Sequence, residues 1–288
     1  MKSFKILLFL VAFGFISCQN DTVSEPITSE AAVSAEAVIE ESESVLDDIS
    51  IYSESSFGVD MTTSVTGKDA TSKSETASKY GHSGFFGDCA DIAVSVDGNT
   101  ITATITFTGD CLDNDGNVIT GTITKVWSLT DTNAERTITV DNLSINGYII
   151  NGTKTYVFTS SNENGNPEMT GTVDITVETD EGTFSKVGTR TVEITTGGDT
   201  DSCYDDEKTI SGSFVYTDAS GATFSVEITT PLVKLAECLY IASGVKEYTT
   251  VEGTTTLDYG DGTCDNIATK TAPDGTVTEI ELGRKRHH

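Results

Sequence analysis

The sequence predicts a mainly β protein: a curved antiparallel meander sheet, or a sandwich or open barrel, with one amphipathic helix near the N-terminus. Three observations carry this reading. Apolar residues alternate with Thr over many short runs: Ile101, Ala103, Ile105 and Phe107 against Thr102, Thr104, Thr106 and Thr108. Val173, Ile175 and Val177 repeat the pattern, as do Phe224, Val226 and Ile228, and a period of two means one buried and one wet face. Turn pairs separate the runs: Asp97-Gly98, Asp115-Gly116, Asn146-Gly147, Asn164-Gly165, Glu181-Gly182, Ser220-Gly221, Glu252-Gly253 and Asp274-Gly275. Gly at the second place supplies the positive φ of tight hairpins, and consecutive hairpins make a meander. Lastly, Gly121, Gly152, Gly171, Gly188, Gly212 and Gly244 each fall inside a strand-like run. Mid-strand Gly marks bulges and bends, so the sheet is expected to curve.

The elements divide the chain in order. Residues 1–17 are a signal peptide: Lys2 and Lys5 precede the apolar run Ile6 to Ile16, whose 11 residues are too few for a spanning helix of roughly 20. The run ends in Phe15-Ile16-Ser17-Cys18, which resembles a bacterial lipobox. That resemblance implies a diacylated Cys18 as first mature residue and a firm membrane anchor. Residues 18–26 are then a lipidated tether, with Asp21 and Glu25 a thin version of a surface-export signal. Periplasm-facing and cell-surface positions on the outer membrane both stay open.

Residues 27–55 change character. Ala31, Ala35, Val38, Val45, Ile49 and Tyr52 recur at helical spacing, with Glu36, Glu40, Glu43 and Asp47 on the opposite face. Thr28 or Ser29 can cap the start, with Glu30 close to the positive end of the dipole. This acidic helix is expected to pack on the β domain, with partner binding and a plain acidic tether as alternatives. Residues 56–84 read as a Ser/Thr/Gly/Lys-rich linker, 85–283 as the β domain and 284–288, with Arg284-Lys285-Arg286, as a basic tail.

Composition bounds the function. With 45 acidic and 17 basic residues the formal charge is −28, a field that repels nucleic acid and anionic lipid while admitting calcium or cationic partners. Export permits disulfides. A hairpin turning at Asp97-Gly98 brings Cys89 near Cys111; one turning at Glu252-Gly253 brings Cys238 near Cys264; Cys203 is left over. No CxxC pair occurs, and zinc is not expected.

Catalytic motifs are absent from the sequence. There is no Gly-x-Ser-x-Gly elbow, and His82 sits in the linker. Two suitably placed acids would suffice for glycoside hydrolysis, but the sequence nominates no pair. Asp258, Asp261 and Asp265 are weak calcium candidates, crowded on a Gly turn that can instead be a β-turn whose Asp side chains bond their own backbone. Asp113 to Asn117 matches only the middle of an EF-hand loop, since Cys111 and Thr122 stand at its essential ends. No cofactor other than calcium is suggested.

The run Thr254 to Asn266, with its Asp-Tyr-Gly-Asp-Gly-Thr-Cys-Asp-Asn core, resembles the C-terminal signature of uncharacterised Bacteroidota envelope lipoproteins. Asp274-Gly275, Glu279 to Leu282, Ile138 to Gly147, and Ile228 to Val233 with Cys238 share the likeness, which covers roughly 86–283; Cys203 looks like an addition to the pattern. The resemblance implies an envelope lipoprotein and supplies no catalytic residues. The expected function is therefore a non-catalytic binding or assembly module, not an enzyme, joined to the membrane through Cys18, with a protein or glycan partner that the sequence leaves unidentified. The alternatives are a glycan-active hydrolase on a β scaffold and a calcium-stabilised adhesin.

Overall fold

The computed structural model describes residues 90–282, except 113–115, 117, 131–132, 146 and 201–204. The signal peptide, tether, acidic helix, linker and basic tail expected from the sequence lie outside the described residues. Within them run thirteen strands: β1 (Ala90–Asp97), β2 (Thr100–Leu112), β3 (Val118–Leu129), β4 (Asn133–Ile145), β5 (Tyr148–Thr159), β6 (Glu168–Thr179), β7 (Gly182–Thr196), β8 (Glu207–Thr217), β9 (Thr223–Lys234), β10 (Ser243–Thr250), β11 (Gly253–Asp261), β12 (Ile267–Thr271) and β13 (Val277–Glu281). Each strand pairs antiparallel with the next, so chain order is spatial order in one open meander sheet. The described residues of the expected turn pairs fall at the junctions of successive strands: Asp97, Gly182 and Gly253 are strand ends, and Gly98, Gly116, Gly147, Asn164-Gly165, Glu181, Ser220-Gly221, Glu252 and Asp274-Gly275 lie between strands.

One expectation about the C-terminal region is corrected. Asp258, Asp261 and Asp265 do not share one Gly turn: Thr255, Leu257 and Tyr259 are all buried, and β11 runs on to Asp261. The turn is therefore confined to 262–266, and a further strand, β12, stands between it and β13.

The two faces of the sheet differ sharply. Ile105 lies opposite Ile123, which lies opposite Val140. Ile150, Val177 and Phe184 form a second such row. These side chains belong to one buried cluster that extends from β2 to Leu282. Each fully buried aliphatic chain contributes roughly 1.5 to 3 kcal/mol of transfer free energy. The other face is largely Thr, joined across strands by hydroxyl pairs such as Thr137–Thr155 (3.3 Å), Thr170–Thr191 (3.0 Å) and Thr249–Thr254 (3.0 Å). Open sheets of more than ~10 strands generally curl, split or flatten.

The devices that bend the sheet are visible. Pairing slips at bulges between Thr120 and Thr122, between Val140 and Leu143, and between Ile210 and Ser213. Such slips bend a strand and increase its twist. Asn142, with φ 48°, occupies the second of these, and its backbone N–H donates to Asn151 Oδ1 at 2.8 Å. Gly152 in β5 has φ 138°, and a Cβ there would fall on the Asp174 carbonyl oxygen of the adjacent strand. No L side chain fits that position. Gly171 in β6 has no such angle; a Cβ would press on the Tyr156 ring at 3.3 Å and meet the Arg190 carbonyl oxygen at an ordinary 3.8 Å.

Gly152→Ala is expected to cost at least about 2 kcal/mol, because strained backbone and a backbone collision add. Gly171→Ala is expected to cost far less, since a ring can shift. Urea unfolding of both variants checks this; equal losses would remove Gly152 from the bending argument.

Candidate functional site: the cationic inner face

Alternation assigns every strand side chain to one face, and the assignment sorts the charges. Nine basic residues lie between Ala90 and Leu282: Lys125, Arg136, Lys154, Lys186, Arg190, Lys208, Lys234, Lys246 and Lys270. All nine stand at inward positions, in phase with the buried apolar side chains of their own strands. Lys125 is paired with Ala103 and Ile138, Lys154 with Ile138 and Val173, and Lys186 with Ile175 and Tyr216. Lys208 is paired with Ile194 and Lys234, while Lys246 and Lys270 both lie beside Leu257.

The acids take the other face. Glu135, Asp174, Glu193, Glu227, Glu247 and Glu279 alternate out of phase with these lysines. Asp261, at the exposed end of β11, is an acid with inward parity. Like charges even meet across strands: Glu168 pairs with Glu193 and Glu227 with Glu247. The first pair is tempered by an Asn cluster. Asn164 and Asn166 side chains donate to Glu193 Oε1 at 3.0 and 2.8 Å, and Asn162 donates to Glu168 Oε2 at 3.0 Å. The Asn164 hydrogen bond, then that of Asn166, holds the Glu193 carboxyl below its ordinary range.

The inward cations form a band. Along one row lie Trp127, Arg136, Tyr156, Gly171, Arg190 and Gly212. The neighbouring row carries Lys125 and Lys154, separated by Ile138. Aromatic faces receive part of the charge: the Arg136 guanidinium sits 4.7 Å from the Tyr156 centroid, and Lys186 Nζ 4.6 Å from that of Phe214. Such contacts gain in strength where water is excluded. Lys125 has no exposed surface, and Arg136 is 4% exposed. Buried ammonium and guanidinium groups are costly unless they are paired or hydrogen-bonded, so these positions bind the chain to a specific arrangement of charge.

One buried acid serves the edge of the band. Asp206, ahead of β8, lies 3.8 Å from Lys208 Nζ, and its oxygens accept no hydrogen bond among the described residues. Desolvation raises its carboxyl above the ordinary value; Lys208 opposes the shift and Asp205 adds to it.

The calcium candidates are placed close together but each is engaged locally. Asp258 accepts from the Gly260 N–H, Asp261 from the Thr263 N–H and hydroxyl, and Asp265 from the Ile267 N–H. These are the backbone-bonding turns anticipated as the alternative to a metal site. The Thr263 side chain, then its N–H, draws the Asp261 carboxyl downward. The three acids border a shallow depression of about 110 Å³ that also touches Ala268. Among the described residues no cluster of His, Cys, Asp and Glu has metal-binding geometry.

Cys238 and Cys264 form a disulfide with Cα atoms 5.7 Å apart, at the open end of the β10–β11 hairpin. Cys111 is also disulfide-bonded. Cys89, Cys203, Cys18 and His82 lie outside the described residues, as does Asp113 to Asp115 of the EF-hand-like run. The cationic band went unread in the sequence, although the signal is there: Ile123-x-Lys125-x-Trp127, Lys154-x-Tyr156-x-Phe158 and Lys246-x-Tyr248 each put a cation in phase with apolar residues.

Comparison with protein-family models, with curated proteins and with solved structures gives no match to this chain.

Cys264→Ser is expected to lower stability by about 2 to 4 kcal/mol, as loss of a loop of this size commonly does. Thermal unfolding in EGTA and in calcium should show that loss with little calcium response. A large calcium-dependent rise, abolished in Asp261→Asn, would instead identify a metal site.

Asp206 carries a pH signature of its own. A carboxyl raised on folding binds its proton more tightly in the native state, so its contribution to stability declines as pH climbs through the raised value. The hydrogen-bonded Glu193 and Asp261 have the opposite sign and lose stability as pH falls below their unfolded values. Asp206→Asn should therefore gain on the wild type as pH rises above the ordinary aspartate value of about 4. Parallel melting curves above that value would contradict the assignment.

Proposed function

We propose that the chain is a cell-envelope lipoprotein that works as a non-catalytic binding or assembly module, held to the outer membrane through acyl chains on Cys18. The observation that carries the reading is the sorting of charge between the two faces. The described strands turn their cations inward and present acids and Thr hydroxyls outward. An outer surface of this kind is repelled by anionic headgroups, so the acyl anchor and not the domain surface would hold the chain at the membrane. The same surface suits a cationic or hydroxyl-rich partner. A hydrolase would need facing carboxylates in a cleft, whereas the strand acids here stand side by side on a sheet surface.

The anchor and the module are tested separately. Metabolic labelling with a palmitate analogue is expected to tag the wild type and leave Cys18→Ser untagged, with release of that variant from the membrane fraction. Equal labelling of both would end the lipoprotein reading. Turnover of any glycan by the purified chain, abolished by an acid-to-amide change, would end the non-catalytic one.

A further inference from the structure

The acidic outer face holds an exposed apolar pair. Val187 in β7 and Val215 in β8 point outward, 49% and 48% exposed, and lie directly opposite each other. Their row continues to Asp174 on one side and to Ser225 on the other. The next row runs through Thr172, Thr189, Ser213, Glu227 and Glu247. Asp174 therefore stands beside Val187, Glu227 diagonal to Val215, and Glu247 opposite Glu227. Asp174 and Glu227 are exposed, and Glu247 is half-buried. Three side-chain amides serve the Glu168–Glu193 pair, whereas among the described residues no side chain donates to Glu227 or Glu247. The patch is five strands wide, about 20 Å, the length of an extended segment of about six residues.

We propose that this patch, on β6 to β10, docks a polypeptide segment of a partner protein that carries Lys or Arg. The chemistry of the occupant follows from the patch. Opposed carboxylates destabilise the free sheet, and a cation set between them removes that cost. An ammonium or guanidinium head that reaches Glu227 and Glu247 lays its methylene stem over Val215 and Val187. Asp174, at the far end, receives a second cation. The formal charge of −28 draws such a segment in and turns anionic ligands away. An inorganic cation would use the carboxylates and leave the valines bare; a neutral glycan would use the hydroxyls and leave both. The inference rests on the binding-module reading above and narrows its partner to a basic polypeptide.

The test is fluorescence anisotropy of the full chain with a labelled octapeptide of alternating Lys and Thr. The wild type should bind this peptide and not its Glu-Thr counterpart. Glu227→Gln with Glu247→Gln should weaken binding about fivefold. The same charge change at Glu135 and Glu279, away from the patch, should weaken it less than about twofold. Val187→Thr with Val215→Thr leaves the charge untouched and should weaken it about threefold. Equal losses from the two acid pairs, or no loss from the valine pair, would assign binding to the diffuse field and overturn the proposal. Should a variant fail to fold, a photoreactive form of the peptide on the wild type decides. Adducts concentrated on β6 to β10 support the proposal, and adducts spread over the sheet, or none, overturn it. Binding of a neutral glycan without the peptide overturns this inference and leaves the binding-module reading standing; glycan turnover would end that reading as well.

Discussion

Taking a lysine ammonium out of water costs several kcal/mol unless a negative charge or a hydrogen-bonding shell comes with it. The sheet is arranged around that cost. A strand gives each residue one of two directions, so a cation in phase with Ile and Val is committed to the same side as the core. Lys125 illustrates the consequence: it lies between Ala103 and Ile138, and no part of it is exposed. Had these lysines been out of phase, they would have faced the outer acids and made ordinary surface pairs worth under about 1 kcal/mol each. In phase, they place cations within an apolar face.

Burial of that kind on a single sheet needs a floor that curves. A flat thirteen-stranded sheet would leave its middle rows as open as its edges. Gly152, Gly121 and Gly212 bring neighbouring backbones closer than a Cβ would allow, and pairing slips lie beside two of them. The aromatic rings occupy space these glycines leave. Tyr156 lies against Gly171 and Phe214 against Gly188, and the same rings stack under Arg136 and Lys186. Bending and cation placement are thus joined through two side chains. A glycine opens room for a ring, and the ring receives a charge.

Much of the fold was legible in the sequence because its signals are local. A period of two, eight Gly-containing turn pairs and the mid-strand glycines each report on a few residues, and each falls where the structure puts it. The Cys238–Cys264 bridge was legible for the same reason, since hairpin register fixes which residues meet at an open end. β12 was missed because Ile267 to Thr271 is short and has one buried apolar residue, Ala268, too little for a periodic signal. The Asp258 to Asn266 run was taken for one turn because its Asp and Gly residues are turn formers, yet Tyr259 is buried and keeps half of it in the strand. Single-strand reading also hid the cationic band. Each lysine alone looks like one polar residue in an alternating run. The band exists only once register lines up Lys125 with Lys154 across Ile138, and Arg136 with Arg190 across Tyr156 and Gly171.

The outer face carries the complementary cost. Placing Glu168 beside Glu193 and Glu227 beside Glu247 is destabilising in itself, since like charges opposite each other lose what opposite charges gain. At the first pair the Asn162 to Asn166 loop spends three side-chain amides on relieving it. A single Glu→Lys change would relieve it more simply. The described strands nonetheless carry no cation on this surface, so the uniform negative field is kept at some expense in stability. Kept together, the two costs leave the outside of the sheet uniformly negative, a surface that repels anions. Charge sorting by strand phase therefore gives one sheet two chemically distinct faces, an acidic and hydroxyl-rich one and an apolar one that carries the cations.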